Sequence, residues 1–185
     1  MADRTLVAYA RDDGYDLHYA HEGVHPDALG PETPFGGPTE RDLARVRDRL
    51  EPLGVDIDDA AGARTAVDPT PLATDRSWSR VVATLDYRAY DRVLRVDDSW
   101  AVDRFLACFF GLGDRGGTDR DARGDGALLP VEPGEEAFAR GWFEGIKSTV
   151  ADSVRCGVRD ERDARSYMAG RVRAFAGDRT AYVGA

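Results

Sequence analysis

The sequence predicts a single α+β domain spanning residues 1–185: an antiparallel sheet of four to six strands begun by an N-terminal β-hairpin, helices mainly on one face, and a C-terminal helix pair. Three observations carry this. Residues 4–21 alternate in two β-rich runs around a DG turn. The later segments 91–97, 100–110 and 127–131 are short and apolar in the manner of strands. The last third of the chain repeats apolar residues every fourth position. Of the 42% hydrophobic residues, 26 are Ala, which leaves 52 larger apolar or aromatic side chains, enough for one core and little more.

The elements follow in order. Leu6, Ala8 and Ala10 alternate with Val7 and Tyr9, Asp12-Asp13-Gly14 supplies the turn, and Tyr15, Leu17 and Tyr19 alternate with Asp16 and His18. Pro26, Pro31, Pro34 and Pro38 make 22–38 an irregular loop. Thr39 opens a helix with Asp42 as an approximate capping box, and Leu43, Val46, Leu50 and Leu53 share its inner face until Pro52 and Gly54 end it. Residues 54–75 are polar and Pro-rich, with room for a short strand near Thr65–Val67. Ser77 or Asp75 caps a second helix whose buried stripe is Trp78, Val81, Val82 and Leu85. Residues 91–97 form a strand. Residues 100–110 fit both a strand and a helix; two apolar faces suit a central strand, and the helical spacing stays open. Residues 113–126, nearly all Gly, Asp and Arg, predict a mobile solvated loop before a further strand at 127–131.

Phe138, Trp142, Ile146, Val150, Val154 and Val158 then lie at i+4 spacing, beside a ridge of Gly141, Gly145, Thr149, Ser153 and Gly157. Glycines in a helix cost about 1 kcal/mol each against Ala, so the ridge predicts close packing against a neighbour. Asp160 starts a last helix, with Ala164, Tyr167, Met168, Val172 and Phe175 inward and Gly177 ending it. Thr180–Val183 adds a final strand.

The charges are unusual in kind: 25 Asp and 9 Glu against 24 Arg and one Lys, with no Asn or Gln and a net charge of −9. This excludes a generally basic nucleic-acid coat. A GC-rich genome explains the scarcity of Lys, Asn and Ile but not the acid excess. A salt-rich cytoplasm explains that, because at molar salt the Debye length is about 3 Å and carboxylate self-repulsion is nearly abolished. The composition therefore points to a halophilic archaeon, with a GC-rich bacterium as the alternative. No apolar run reaches the length of a membrane span, and the N-terminus lacks a signal-peptide pattern. Cys108 and Cys156 show no metal or disulfide spacing, which suits two reduced thiols in a cytoplasmic protein.

The hairpin LVAYARDDGYDLHYAH, the loop PETPFGG, the pieces VDPTPLAT and RGWFEGIKS and the ending GDRTAYV resemble a small haloarchaeal protein family of unknown function. That resemblance implies a halophile and one domain. It implies no activity, cofactor or catalytic residue.

Candidate chemistry is sparse. His18, His21 and His25 are all the histidines, packed beside Asp16 and Glu22. They suggest a metal site or an oriented general base, although His18 and His21, an odd number apart in a strand, point to opposite faces. Lys147, the lone Lys, is a candidate compact donor, with Glu144 three residues before it as the plainer ion-pair partner. Arg140 on the same helix is the last candidate binding residue. Residues 137–185 carry net +3 and residues 1–136 net −12. Arg155, Arg159, Arg162, Arg165, Arg171, Arg173 and Arg179 thus offer a face to an acidic protein or nucleic acid, or else pair with the acidic rest of the fold. No P-loop, GxGxxG, GxSxG or HExxH motif is present. The expectation is a soluble, cytoplasmic, non-catalytic binding or interaction protein with no cofactor. The alternative is a small enzyme, metal-dependent or not, using the His18–His25 region.

Overall fold

The computed structural model describes residues 3–21, 23–53, 65–112 and 122–184, without the side chains of Glu40, Asp42, Leu43, Val46 and Leu50. The hairpin forms as read: β1 (Thr5–Arg11) and β2 (Gly14–Ala20) pair antiparallel from Thr5↔Ala20 to Arg11↔Gly14. Then come α1 (Glu40–Leu50), β3 (Ala73–Arg76), α2 (Trp78–Thr84), β4 (Arg92–Val96), β5 (Val102–Phe109) and β6 (Gly126–Pro130). The chain closes with α3 (Glu136–Arg155), α4 (Glu161–Ala176) and β7 (Tyr182–Val183).

The sheet corrects the predicted one. It has seven strands in the order β3-β2-β1-β4-β5-β6-β7, and it is mixed, because β4 lies parallel to β1 with Val7 opposite Leu94. The seventh strand is β3, which pairs with β2 through Leu17↔Ala73; no strand forms at 65–67. The parallel pair arises because the route from β3 to β4 runs through α2 rather than a tight turn, so β4 enters in the same direction as β1. Hairpin logic sees only neighbours in sequence. Residues 102–109 are strand, flanked by β4 and β6, which settles the open segment.

Alternation along the strands divides the core. On the first face, Leu106, Cys108, Ala127 and Leu129 pack under Phe143 and Val150 of α3 and Met168 and Val172 of α4. Val7, Tyr9, Leu94 and Val96 continue that face and are covered by loop residues Val24, Leu29, Phe35 and Val67. On the second face, Leu6, Val93, Phe105 and Leu128 pack under Val81 and Val82 of α2 with Leu85 and Tyr87. The two long helices thus lie on the first face, as expected, and the seven-residue α2 adds cover to the second. A sheet buried on both sides has two apolar surfaces to cover, and three layers result.

The helices show which sequence signals hold. Ser77, not Asp75, caps α2 by accepting from the Arg80 N–H, and Asp160 caps α4 by accepting from the Asp163 N–H. Gly177 takes φ +61° after α4. In α3 the buried residues are Ala139, Phe143 and Val150, while Phe138 is 69% exposed. The i+4 ridge drifts around the helix, since four residues turn 400° and not 360°. The glycine ridge is not a packing seam: a Cβ built at Gly141 or Gly145 meets nothing within 4 Å. Gly157, at φ +70°, lies beyond the end of α3. Leu53 is 73% exposed in a short 3-10 turn after α1, and Tyr167 points outward rather than into the core. Of the expected 113–126 loop, residues 113–121 lie outside the described residues. The remainder is docked: Ala122 is buried, the Asp125 carboxylate takes two Arg165 N–H bonds, and Gly126 begins β6.

Candidate functional site

β5 outruns its neighbour. β6 ends at Pro130, opposite Phe105, and the Val131 N–H donates to the Arg104 carbonyl at 3.0 Å. Beyond that point, among the described residues, Val102 and Asp103 have no strand beside them on the β6 side. A cleft of about 430 Å³ opens there, lined by Arg95, Asp103, Arg104, Phe105, Arg179 and Tyr182. Its volume falls within the usual range for a small-molecule site.

Register places each guanidinium. Arg95 lies directly opposite Asp103; its Nε donates to Oδ2 at 2.9 Å, and Nη1 donates to the Tyr182 hydroxyl at 3.2 Å. Its guanidinium carbon lies 5.0 Å from the Trp78 ring centroid, 5.7 Å from that of Phe105 and 5.8 Å from that of Tyr182, a cation–π arrangement. Burial works against the Arg95 charge, but the bonds to Asp103 and Tyr182 outweigh it and raise its pKa above the ordinary value. Arg104 projects to the first face and donates to Asp27 Oδ1 at 3.2 Å. Arg179 donates to Glu135 Oε2 at 2.7 Å and to the Ala176 carbonyl at 3.3 Å. Glu135 in turn accepts the Glu132 N–H, the largest reason its carboxyl sits below the usual range, with Arg179 adding to it. Each guanidinium is thus oriented by a carboxylate while keeping N–H donors beyond those bonds. Arginines from both faces of the β5 edge line the cleft beside the apolar walls of Val102, Val131 and Pro133, and their remaining N–H groups can hold a carboxylate or phosphate carrying an apolar body.

The residues singled out in the sequence are not brought together. His18 is 3% exposed. Its ring centroid lies 5.3 Å from that of Tyr9 and 5.3 Å from that of Phe35, and Nδ1 donates to the Asp68 carbonyl at 2.9 Å. His21 lies on the opposite face, as strand parity requires, hydrogen-bonded to the Tyr19 hydroxyl at 3.0 Å. His25 is 74% exposed by side chain, 3.5 Å from Asp27. Glu22 lies outside the described residues. Among the described residues no group of three His, Cys, Asp or Glu side chains is placed to hold a metal ion. Lys147 is half-buried, with Nζ 4.5 Å from the Phe109 ring centroid. Arg140 donates to Glu136 at 3.1 Å and stands 3.8 Å from Asp91. Both thiols are free; Cys108 is buried, and burial pushes its pKa up.

The C-terminal arginines divide. Arg155, Arg165 and Arg179 pair with carboxylates of the same chain, and Arg159 stacks 4.7 Å from the Tyr167 ring centroid. Arg162, Arg171 and Arg173 are exposed along α4. Of the cleft's polar residues, the sequence pattern singles out Arg179 but not Arg95, Arg104 or Tyr182. The available signal was an arginine in each of two apolar strands, Arg95 and Arg104, which a chain with 24 arginines obscures.

No helix among the described residues is long and apolar enough to cross a membrane. A model described as a family of unknown function (DUF6735) matches residues 1–183. No curated protein and no solved structure matches the chain.

Proposed function

The chain belongs to the DUF6735 family of unknown function, and from that starting point we propose that it is a non-catalytic binding protein whose ligand site is the arginine cleft at the free edge of β5. The observation that carries this reading is that Arg95, Arg104 and Arg179 line one cleft of about 430 Å³ with Tyr182. In a chain of net charge −9, a recess lined by three guanidiniums against the two carboxylates of Asp103 and Glu132 keeps a small positive excess, which favours a small organic anion over a neutral ligand. The acid excess and Lys-poor composition support the same setting as before, a soluble protein in the salt-rich cytoplasm of an archaeon. There, long-range attraction is screened within about 3 Å at molar salt. Recognition in the cleft then rests on direct guanidinium hydrogen bonds and apolar contact. The histidine-based enzyme reading has less support, because His18 is enclosed by aromatic rings and His21 lies on the other face of the strand.

The test is a titration with benzoate at fixed KCl, following the Arg Nε–H signals by NMR. Saturable shifts at Arg95, Arg104 and Arg179, weakened several-fold in Arg104→Gln, are expected. Signals that stay unmoved up to 50 mM benzoate, a test concentration chosen as about fifty times a 1 mM Kd, overturn the proposal.

A further inference from the structure

The cleft opens where β6 gives out, and there the backbone ladder is incomplete. Bonds to β4 fix the parity of β5: the Asp97 N–H donates to the Ala101 carbonyl and the Ala107 N–H to the Asp91 carbonyl. Odd-numbered residues therefore bond toward β4 and even-numbered ones toward β6, in agreement with the Val131 N–H on the Arg104 carbonyl. Val102 thus turns both its N–H and its C=O to the β6 side, and among the described residues neither has a partner. The sequence supplies a reason. Continuing the register three steps past Phe105↔Pro130 brings Pro133 opposite Val102, and proline has no N–H to give the Val102 carbonyl.

The vacated strand position is walled on its far side too. β5 and β7 flank β6, so they stand two strand spacings apart, roughly 9–10 Å. Past Pro130 the space is bounded by Val102 and Asp103 on one side and by Arg179 and Thr180, just ahead of β7, on the other. It has the width of one extended chain. Charge decides how that chain ends: three guanidiniums against the carboxylates of Asp103 and Glu132 leave one positive charge, enough for one carboxylate.

We propose that the ligand of the cleft is an N-acyl α-amino acid that completes the ladder at Val102. This rests on the anion-binding reading of the cleft and adds an amide to it. In an antiparallel pair two residues exchange both bonds. The ligand N–H donates to the Val102 carbonyl, and one carboxylate oxygen, on the same Cα, accepts the Val102 N–H. The other oxygen takes a guanidinium N–H, and the acyl group fills the apolar part of the recess beside Val131 and Pro133. Only Val102 is left over in the ladder, so one residue of ligand suffices and a longer peptide finds no second pair.

The experiment compares N-benzoylglycine with O-benzoylglycolate, its ester analogue with oxygen in place of the N–H, on the unaltered protein at one KCl concentration. The readouts are the Arg Nε–H signals and the Val102 amide proton. The expected result is that N-benzoylglycine binds about tenfold more tightly than the ester, which leaves the Val102 carbonyl without its donor, and that the Val102 amide proton moves downfield. Benzoyl-glycylglycine should bind no more tightly than N-benzoylglycine. An ester that binds as well as the amide, or a Val102 amide proton that stays in place at saturation, overturns the proposal, while a positive benzoate titration leaves the cleft standing as an anion site. Benzoyl-glycylglycine binding tenfold more tightly overturns the single-residue class. If benzoate and N-benzoylglycine both leave the arginine signals unmoved, the two readings fail together.

Discussion

At the scale of single residues, the clearest reversal concerns glycine. Because a Cβ at Gly145 meets nothing within 4 Å, Gly145→Ala keeps its gain in helix propensity. It should stabilise the protein by up to about 1 kcal/mol, read as a higher midpoint in denaturant unfolding at constant slope. A loss of stability would show a neighbour over that face. His18 is the opposite case. Its ring fills the space between Tyr9 and Phe35 and ties β2 to the Asp68 carbonyl. His18→Ala should cost about 3 kcal/mol, a void plus a carbonyl left without its donor. Asp97 gives a pH signature. Its carboxylate accepts first from the Ser99 hydroxyl and then from the Ala101 and Ser99 N–H groups, which holds its pKa below the ordinary value. A folded-state pKa below the unfolded one gives stability that is present above the unfolded value and lost as pH falls through the folded one. Asp97→Asn keeps an acceptor but cannot titrate. Wild type should therefore exceed the variant in urea-measured stability at pH 6, and the gap should close as pH falls below about 4, the ordinary Asp value.

At the scale of elements, stability should follow position in the sheet. β1, β4 and β5 each have a strand on both sides and apolar cover on both faces, whereas β3 and β7 are edges of four and two residues. Native-state amide exchange should be slowest in β1, β4 and β5 and fastest in β3 and β7. Protection in β7 equal to that in β4 would contradict this ordering. The last helix was legible because its caps are chemical: Asp160 and Gly177 act locally at the two ends of α4, through a side-chain acceptor and a permissive φ. By contrast, α3 has no side-chain N-cap and was legible from its apolar spacing alone. The rotation of α3 was not legible. The ridge from Phe138 to Val158 and the line of Ala139, Phe143 and Val150 share Val150, and Trp142, Ile146 and Val154 of the first also pack against the core. The position of the sheet decides that Ala139 and Phe143 are buried more deeply and that Phe138 and Val158 are exposed.

At the scale of the whole molecule, charge dominates. With 34 acidic residues and net −9, self-repulsion should weaken the fold at low ionic strength, so Tm should rise as KCl goes from low to molar concentration. A Tm independent of salt would count against a salt-rich cellular setting. The sequence by itself left 100–110 open between strand and helix, and determined the hairpin at 4–21, both caps of α4 and the strands within 91–97 and near 127–131. Each of these depends on periodicity, turn chemistry or capping within about twenty residues. Only the tertiary structure decided the parallel pairing of β1 with β4, the third layer supplied by α2, the outward glycines of α3 and the arginine cleft. Those depend on which strands end where. Arg95, Arg104 and Arg179 share one cleft because β5 extends past Pro130 and Arg179 returns to that edge just before β7. Nothing local to the three residues encodes that meeting, since side-chain direction along a strand is fixed by parity but the neighbours it meets are fixed by long-range register.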